Sequence, residues 1–203
     1  MSRAASALAL AVFLIVPSAL VHCCAEAQSP RPKSNIEKRA ATPLQIHYGA
    51  EGLPDHVREI REILIEAVRS GTIEELRYAY DLNDIKPDIG LAPDNAGSRD
   101  PIAYWKKLSG DGEGREILAA LSLILESGYV VLPLGADLEN NRLYIWPYFS
   151  QVPLDKLTPA QEVELLRLVP PAAAKAMKST GKYTHWRLTI GADGAWHSFR
   201  KSD

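Results

Sequence analysis

The sequence predicts an α+β fold, a small antiparallel sheet of two hairpins covered by five or six helices. Three observations carry that expectation. Apolar residues recur at helical spacing over His56 to Ser70 and again beyond residue 72. Two segments rich in β-branched and aromatic residues, Tyr129 to Leu134 and Arg142 to Phe149, flank a short polar turn. The chain then closes with YTHWRLTI, GADG and AWHSFR, in which Asp193-Gly194 is a strong hairpin signal.

Length and composition bound the rest. A chain of 203 residues is one domain, or one domain plus extras. With 46% hydrophobic and 24% charged residues, it reads as a globular protein rather than a disordered one. The 23 Lys and Arg are balanced by 25 Asp and Glu, so there is no concentrated basic charge of the kind nucleic-acid binding requires. Two cysteines are too few for a disulfide scaffold or a four-thiolate zinc site.

Residues 1–27 read as a secretory signal peptide. Arg3 supplies a positive start, Ala7 to Leu20 an apolar stretch, and Ala25-Glu26-Ala27 a small-x-small cleavage pattern. The apolar stretch falls short of the roughly 20 residues that span a bilayer. His22 before Cys23, and Cys23 before Cys24, fit a lipoprotein cleavage site poorly. Cleavage after Ala27 removes both cysteines, which suits an oxidising periplasm. The expectation is a periplasmic or secreted protein with no integral membrane segment after cleavage. Residues 28–45, with Pro30, Pro32, Lys33, Lys38, Arg39 and Pro43, read as a disordered basic leader, and 46–203 as a single α+β domain.

The elements follow in order. His56 to Ser70 has one apolar stripe (Val57, Ile60, Ile63, Leu64, Ala67, Val68), with Asp55 as expected cap and Gly71 as terminator. Thr72 to Glu75 has capping-box spacing and opens a second helix with Ile73, Leu76, Ala79 and Tyr80 inward. Residues 81–100, rich in Pro, Gly and Asp, read as a long surface loop. Asp100-Pro101 starts a third helix. Gly114 to Ser127 is apolar on almost every side and should be central, with Gly128 as its cap. Both faces of the strand from Arg142 to Phe149 are apolar, so both should be covered. Thr158 to Gln161 is a second capping box, opening a helix with Ala160, Val163, Leu166 and Val169 inward. Pro170-Pro171 breaks it, and Ala172 to Thr180 resumes as a helix ended by Gly181.

Motif chemistry is sparse. Ser109 to Gly114 resembles the start of a calcium loop, but the twelfth position is Ala120 where a bidentate Glu is needed, so a turn with Asp111 near a helix start is expected. Ser179 and Lys182 have S-x-x-K spacing, but Gly181 interrupts the helix that motif requires. The aspartates at 81, 84, 88, 94 and 100 read as solvated loop residues. No metal and no cofactor is expected.

Two groups of residues remain as candidates. Trp105, Tyr144, Trp146, Tyr148 and Trp196 either line a groove for a glycan or peptide, or fill the interface between sheet and helices, the preferred reading. His197 is the single catalytic candidate. A two- or four-residue turn at the last hairpin sets it on the same face as Trp186, Leu188, Ile190 and Phe199, whereas a three-residue bulged turn reverses the parity. The even turns give the better apolar match, so His197 is expected to point inward, where burial disfavours the charged imidazolium. His47 and His56 show no evident partner, and His185 is expected opposite Arg200 on a polar face.

The stretch YIWPYFSQVPLDKLTPAQEVELLRLVPP, with the ending YTHWRLTIGADGAWHSFR, resembles an uncharacterised family of exported proteins from alphaproteobacteria. That resemblance implies export and no particular activity. The ending Asp193-Gly194-x-Trp196-x-x-Phe199 is similar to the last strands of cone-shaped folds related to nuclear transport factor, although the long helical segment between the hairpins departs from the order of that fold. Two functions follow as expectations: a non-catalytic binding or interaction module of the cell envelope, its partner an envelope protein, peptide or glycan, or alternatively a cofactor-free envelope hydrolase or isomerase using a buried histidine. The discriminating observation is a histidine buried in a cleft within hydrogen-bond reach of a carboxylate.

Overall fold

Apolar side chains at every third or fourth position wind the first long segment into α1 (Asp55–Ser70), which buries Val57, Ile60, Leu64 and Ala67. In the computed structural model, residues 44–91, 100–135 and 141–202 are described. Gly71, at φ 69°, ends α1 in the left-handed conformation and donates its N–H to the Val68 carbonyl. The cap at the other end differs from expectation. Pro54 is the capping residue, and Asp55 lies inside the first turn, paired with Arg58 at 3.2 Å. The Thr72 box does not close either: its side chain makes no capping bond, and Ile73–Glu75 is a 3-10 turn leading into α2 (Leu76–Asp81).

Asp100 accepts from the Ile102 N–H and, with Pro at the first turn, opens α3 (Pro101–Leu108). Asp111 caps the next helix from outside. Its carboxylate accepts from the backbone N–H groups of Glu113, Gly114 and Arg115 and from the Ser109 hydroxyl, and these bonds, the hydroxyl foremost, hold its carboxyl below the usual range. α4 (Arg115–Leu125) is the central helix, burying Ile117, Leu118, Leu121, Ile124 and Leu125. It ends at Leu125, so Gly128 is not its cap. Gly128 instead lies where a side chain would strike the rings of Tyr48 and Tyr148.

The fold class is α+β, with one five-stranded antiparallel sheet in the order β1-β2-β3-β4-β5, not closed into a barrel. β1 (Ile46–His47) adds a fifth strand to the expected four. There His47 sits opposite Tyr129 with the rings stacked at 5.3 Å, so it has a partner after all. β2 (Tyr129–Pro133) pairs with β3 (Arg142–Trp146). Pro147 has no N–H for the ladder, and the chain leaves the sheet there for a 3-10 turn over Tyr148–Gln151 rather than continuing as strand to Phe149. β4 (Trp186–Gly191) and β5 (Trp196–Lys201) complete the sheet.

The alternation of β3 divides the core. Tyr144 and Trp146 face the cluster built with α1, α3 and α4, while Ile145 faces a second cluster containing Leu154, Leu165, Val169 and Met177. That second layer is α5 (Pro159–Leu168) and α6 (Pro171–Thr180). α5 opens with the expected Thr158–Gln161 box, with both reciprocal bonds present. Its buried face, however, is Leu165 with Val169 just beyond its end; Val163 is 64% and Leu166 48% exposed. Apolar residues lie on more than one side of this helix, so periodicity alone did not select the face that meets the sheet.

Candidate functional site

An open cleft of about 580 Å³ lies between α1, the chain that follows α2, and the β4–β5 hairpin. Each wall has a local cause. The hairpin tip rests on the first turn of α1. Gly194, at φ 83°, lies so close that an added Cβ would stand 2.9 Å from the His56 carbonyl oxygen. The second wall begins at Tyr78. α2 buries Leu76 and Ala79, which turns Tyr78 and the capping Leu82 to the outside at 60% and 51% exposure, and Ile85 in the chain beyond is 88% exposed. The hairpin side contains a β-bulge. Leu188 pairs with Phe199 and Thr189 with Ser198, but Ile190 pairs with Trp196, leaving His197 as the extra residue.

That bulge reverses the predicted orientation of His197. The side chain is exposed, and Trp196 takes the inward position at 1% exposure. The bulged strand is fixed by two contacts from the facing loop. Asn83, itself buried, accepts from the Trp196 N–H at 2.7 Å and donates to the Ala79 carbonyl at 2.8 Å. Asp88 donates its N–H to the His197 carbonyl and accepts from the Phe199 N–H, and its carboxylate pairs with Arg200 Nε at 2.8 Å. The 81–100 segment is therefore anchored at 83 and 88; residues 92–99, with Asp94, lie outside the described residues. Arg200 faces Arg187, not His185, which instead accepts the Ser202 N–H through its carbonyl.

The cleft's charge is mostly negative. Glu59, Asp84 and Asp193 line it, and among the described residues none of the three forms an ion pair. The one ammonium among its described lining residues, Lys86, is turned toward its own loop: it donates to the carbonyls of Asp81 and Asn83 at 3.1 and 2.8 Å and lies 5.7 Å from the centre of the Tyr80 ring. His56 and His197 also line the cleft. His197 Nε2 and an Asp193 oxygen both crowd the space above Gly191, where an added Cβ would meet them. Among the described residues no histidine forms an ion pair with a carboxylate, and no three His, Cys, Asp or Glu side chains converge as metal ligands.

The aromatic candidates are placed in the core. Trp105, Tyr144, Trp146, Tyr148 and Trp196 are each at most 4% exposed. Trp105 stacks on Trp196 at 6.1 Å, and Tyr144 and Trp146 surround Tyr129. Only Trp196 also backs the cleft wall. Tyr148 lies beneath Gly128 near Glu164, whose carboxylate accepts from the Tyr48 hydroxyl at 3.0 and 3.1 Å; burial first, then the Glu164 charge, pushes the Tyr148 phenol up. No protein-family model, curated protein or solved structure matches this chain.

Of the cleft residues, Glu59, Tyr78, Leu82 and Ile85 were missed from the sequence, while His56 was given no partner, Asp84 was read as a solvated loop residue and Asp193 as part of the hairpin turn. A signal for part of the set was present: Tyr78 and Leu82 are spaced i, i+4, out of phase with the buried Leu76 and Ala79.

Proposed function

We propose that this chain is an exported binding module of the cell envelope, and that it receives a partner in the cleft between α1, Tyr78–Lys86 and the β4–β5 hairpin. The observation that carries the reading is the row Tyr78, Leu82 and Ile85, left exposed beside a cavity of about 580 Å³. Exposed apolar residues scattered singly need no explanation, but three in a row along a recess favour an interaction site. Export is supported by the n-region, apolar stretch and Ala-x-Ala pattern of residues 1–27, which lie outside the described residues. No helix among the described residues is long and apolar enough to cross a membrane.

A photo-crosslinking residue placed at Ile85 in the exporting cell tests the site. It should give a discrete adduct, and the same residue at exposed Lys175 on α6 should not. Equal labelling at both positions, or none at Ile85, would remove the cleft as the interaction site. Mass spectrometry of the envelope fraction tests export, with a chain starting near Gln28 expected.

A further inference from the structure

We infer that the cleft's partner is a basic peptide segment anchored by apolar side chains; the inference rests on the binding-module reading and names the chemistry of its ligand. Two properties of the cleft select that chemistry. Tyr78 on α2, Leu82 at its end and Ile85 in the chain beyond are exposed together along the recess and offer surface to large aliphatic or aromatic anchors. Around the same recess stand the carboxylates of Glu59, Asp84 and Asp193, none of them in an ion pair among the described residues.

The one opposing charge does not cancel them. Lys86 directs its ammonium to two carbonyls of its own loop and toward Asp81, at 3.9 Å. Among the described residues, Asp193 accepts only the Ala195 backbone N–H, so its charge, like those of Glu59 and Asp84, is not neutralised by a cation. Three such carboxylates beside apolar surface repel acidic segments and attract Lys- or Arg-bearing ones, and charges at a rim act chiefly on encounter rate and on the choice of partner. A second copy of the chain presenting the same cleft is disfavoured by the same charges, since a two-fold contact would set carboxylates against carboxylates.

The test uses three fluorescein-labelled peptides of about nine residues, each with leucines at two positions four apart and differing only in flanking residues, which are Lys, Ser or Glu. Anisotropy with the full chain should show the Lys peptide binding about ten-fold or more tightly than the Ser peptide, with no binding of the Glu peptide. Raising NaCl from about 50 to 500 mM should remove most of that advantage. The variant Glu59→Lys with Asp84→Lys should transfer the preference to the Glu peptide, and Ile85→Asp should abolish binding of all three. All of these positions are exposed, so an unchanged melting temperature confirms that the variants are folded.

Equal affinity for the Lys and Ser peptides, an unchanged preference after charge reversal, or no binding of the Lys peptide overturns the inference. If Ile85 still crosslinks to a partner in the cell, only the ligand chemistry falls. If Ile85 also fails to crosslink, the binding-module reading falls with it.

Discussion

The side-chain oxygen of Asn83 accepts a 2.7 Å hydrogen bond from the backbone N–H of Trp196. The contact joins the chain just past α2 to the start of β5, and it satisfies a donor that the bulged strand does not give to β4. The same side chain is held by the Ala79 carbonyl through its amide nitrogen. Asn83→Ala should cost about 1–3 kcal/mol, the usual penalty for a buried donor left without its partner. Hydrogen exchange should show the Trp196 amide losing protection more than those of α4. Unchanged protection would show that Asn83 does not hold the bulge.

Gly114 precedes α4 at φ 85°, and an added Cβ there would lie 2.7 Å from Ile73, which is fully buried. Backbone strain and overpacking act together. Gly114→Ala should destabilise the protein by about 2–4 kcal/mol, whereas Gly112→Ala, also left-handed but in open space, should cost only the strain of about 1–2 kcal/mol. Denaturant midpoints of the two variants decide it; equal losses would place Ile73 elsewhere.

Leu121 is fully buried at the centre of α4, and Val163 is 64% exposed on α5. Leu121→Ala should lose about 2–5 kcal/mol. Val163→Ala should stay within about 0.5 kcal/mol, despite the apolar stripe that suggests otherwise. A large loss at Val163 would contradict the packing of α5 through Leu165.

Burial holds the half-buried His185 imidazole below its usual range, and the Lys201 ammonium adds to the effect. The folded protein therefore resists protonation that the unfolded chain accepts as pH falls through about 6.5. The contribution of His185 is fully present above that pH and declines as pH drops toward the lowered folded value. Thermal melts from about pH 8 to 5 should show a slope that His185→Gln flattens. A variant as pH-sensitive as the parent would locate the effect in other groups.

Much of the fold was legible because it rests on local rules. Gly71 and Gly181 end helices where a terminator was expected, Thr158 and Gln161 form the box their spacing implies, and Tyr144 and Ile145 divide to the two faces that alternation assigns. The site was less legible because it depends on non-local contacts. The orientation of His197 turns on a one-residue bulge, and the bulge is held by Asn83, 113 positions earlier in the chain. No hairpin rule contains that contact. Glu59 and Asp84 carry no motif and Asp193 only a turn signal; they become a set only when α1, the α2 loop and the hairpin tip meet.

The parallel contact of Asp88 with Ser198 has a consequence for the self-association of the protein. β5 is the terminal strand of the sheet, and an exposed terminal strand is a template on which other chains can add and fibrils or swapped dimers can grow. Here Asp88 occupies the His197 carbonyl and the Phe199 N–H, and Asn83 occupies the Trp196 N–H, so those docking positions for a stranger's backbone are already taken. At the opposite margin the two-residue β1 covers Tyr129 and Val130, and the remainder of β2 is three residues ending in Pro133, which has no N–H to offer, so neither is long enough to serve as a template. Damage to the Asn83–Asp88 segment would thus show itself as self-association before it showed itself as unfolding.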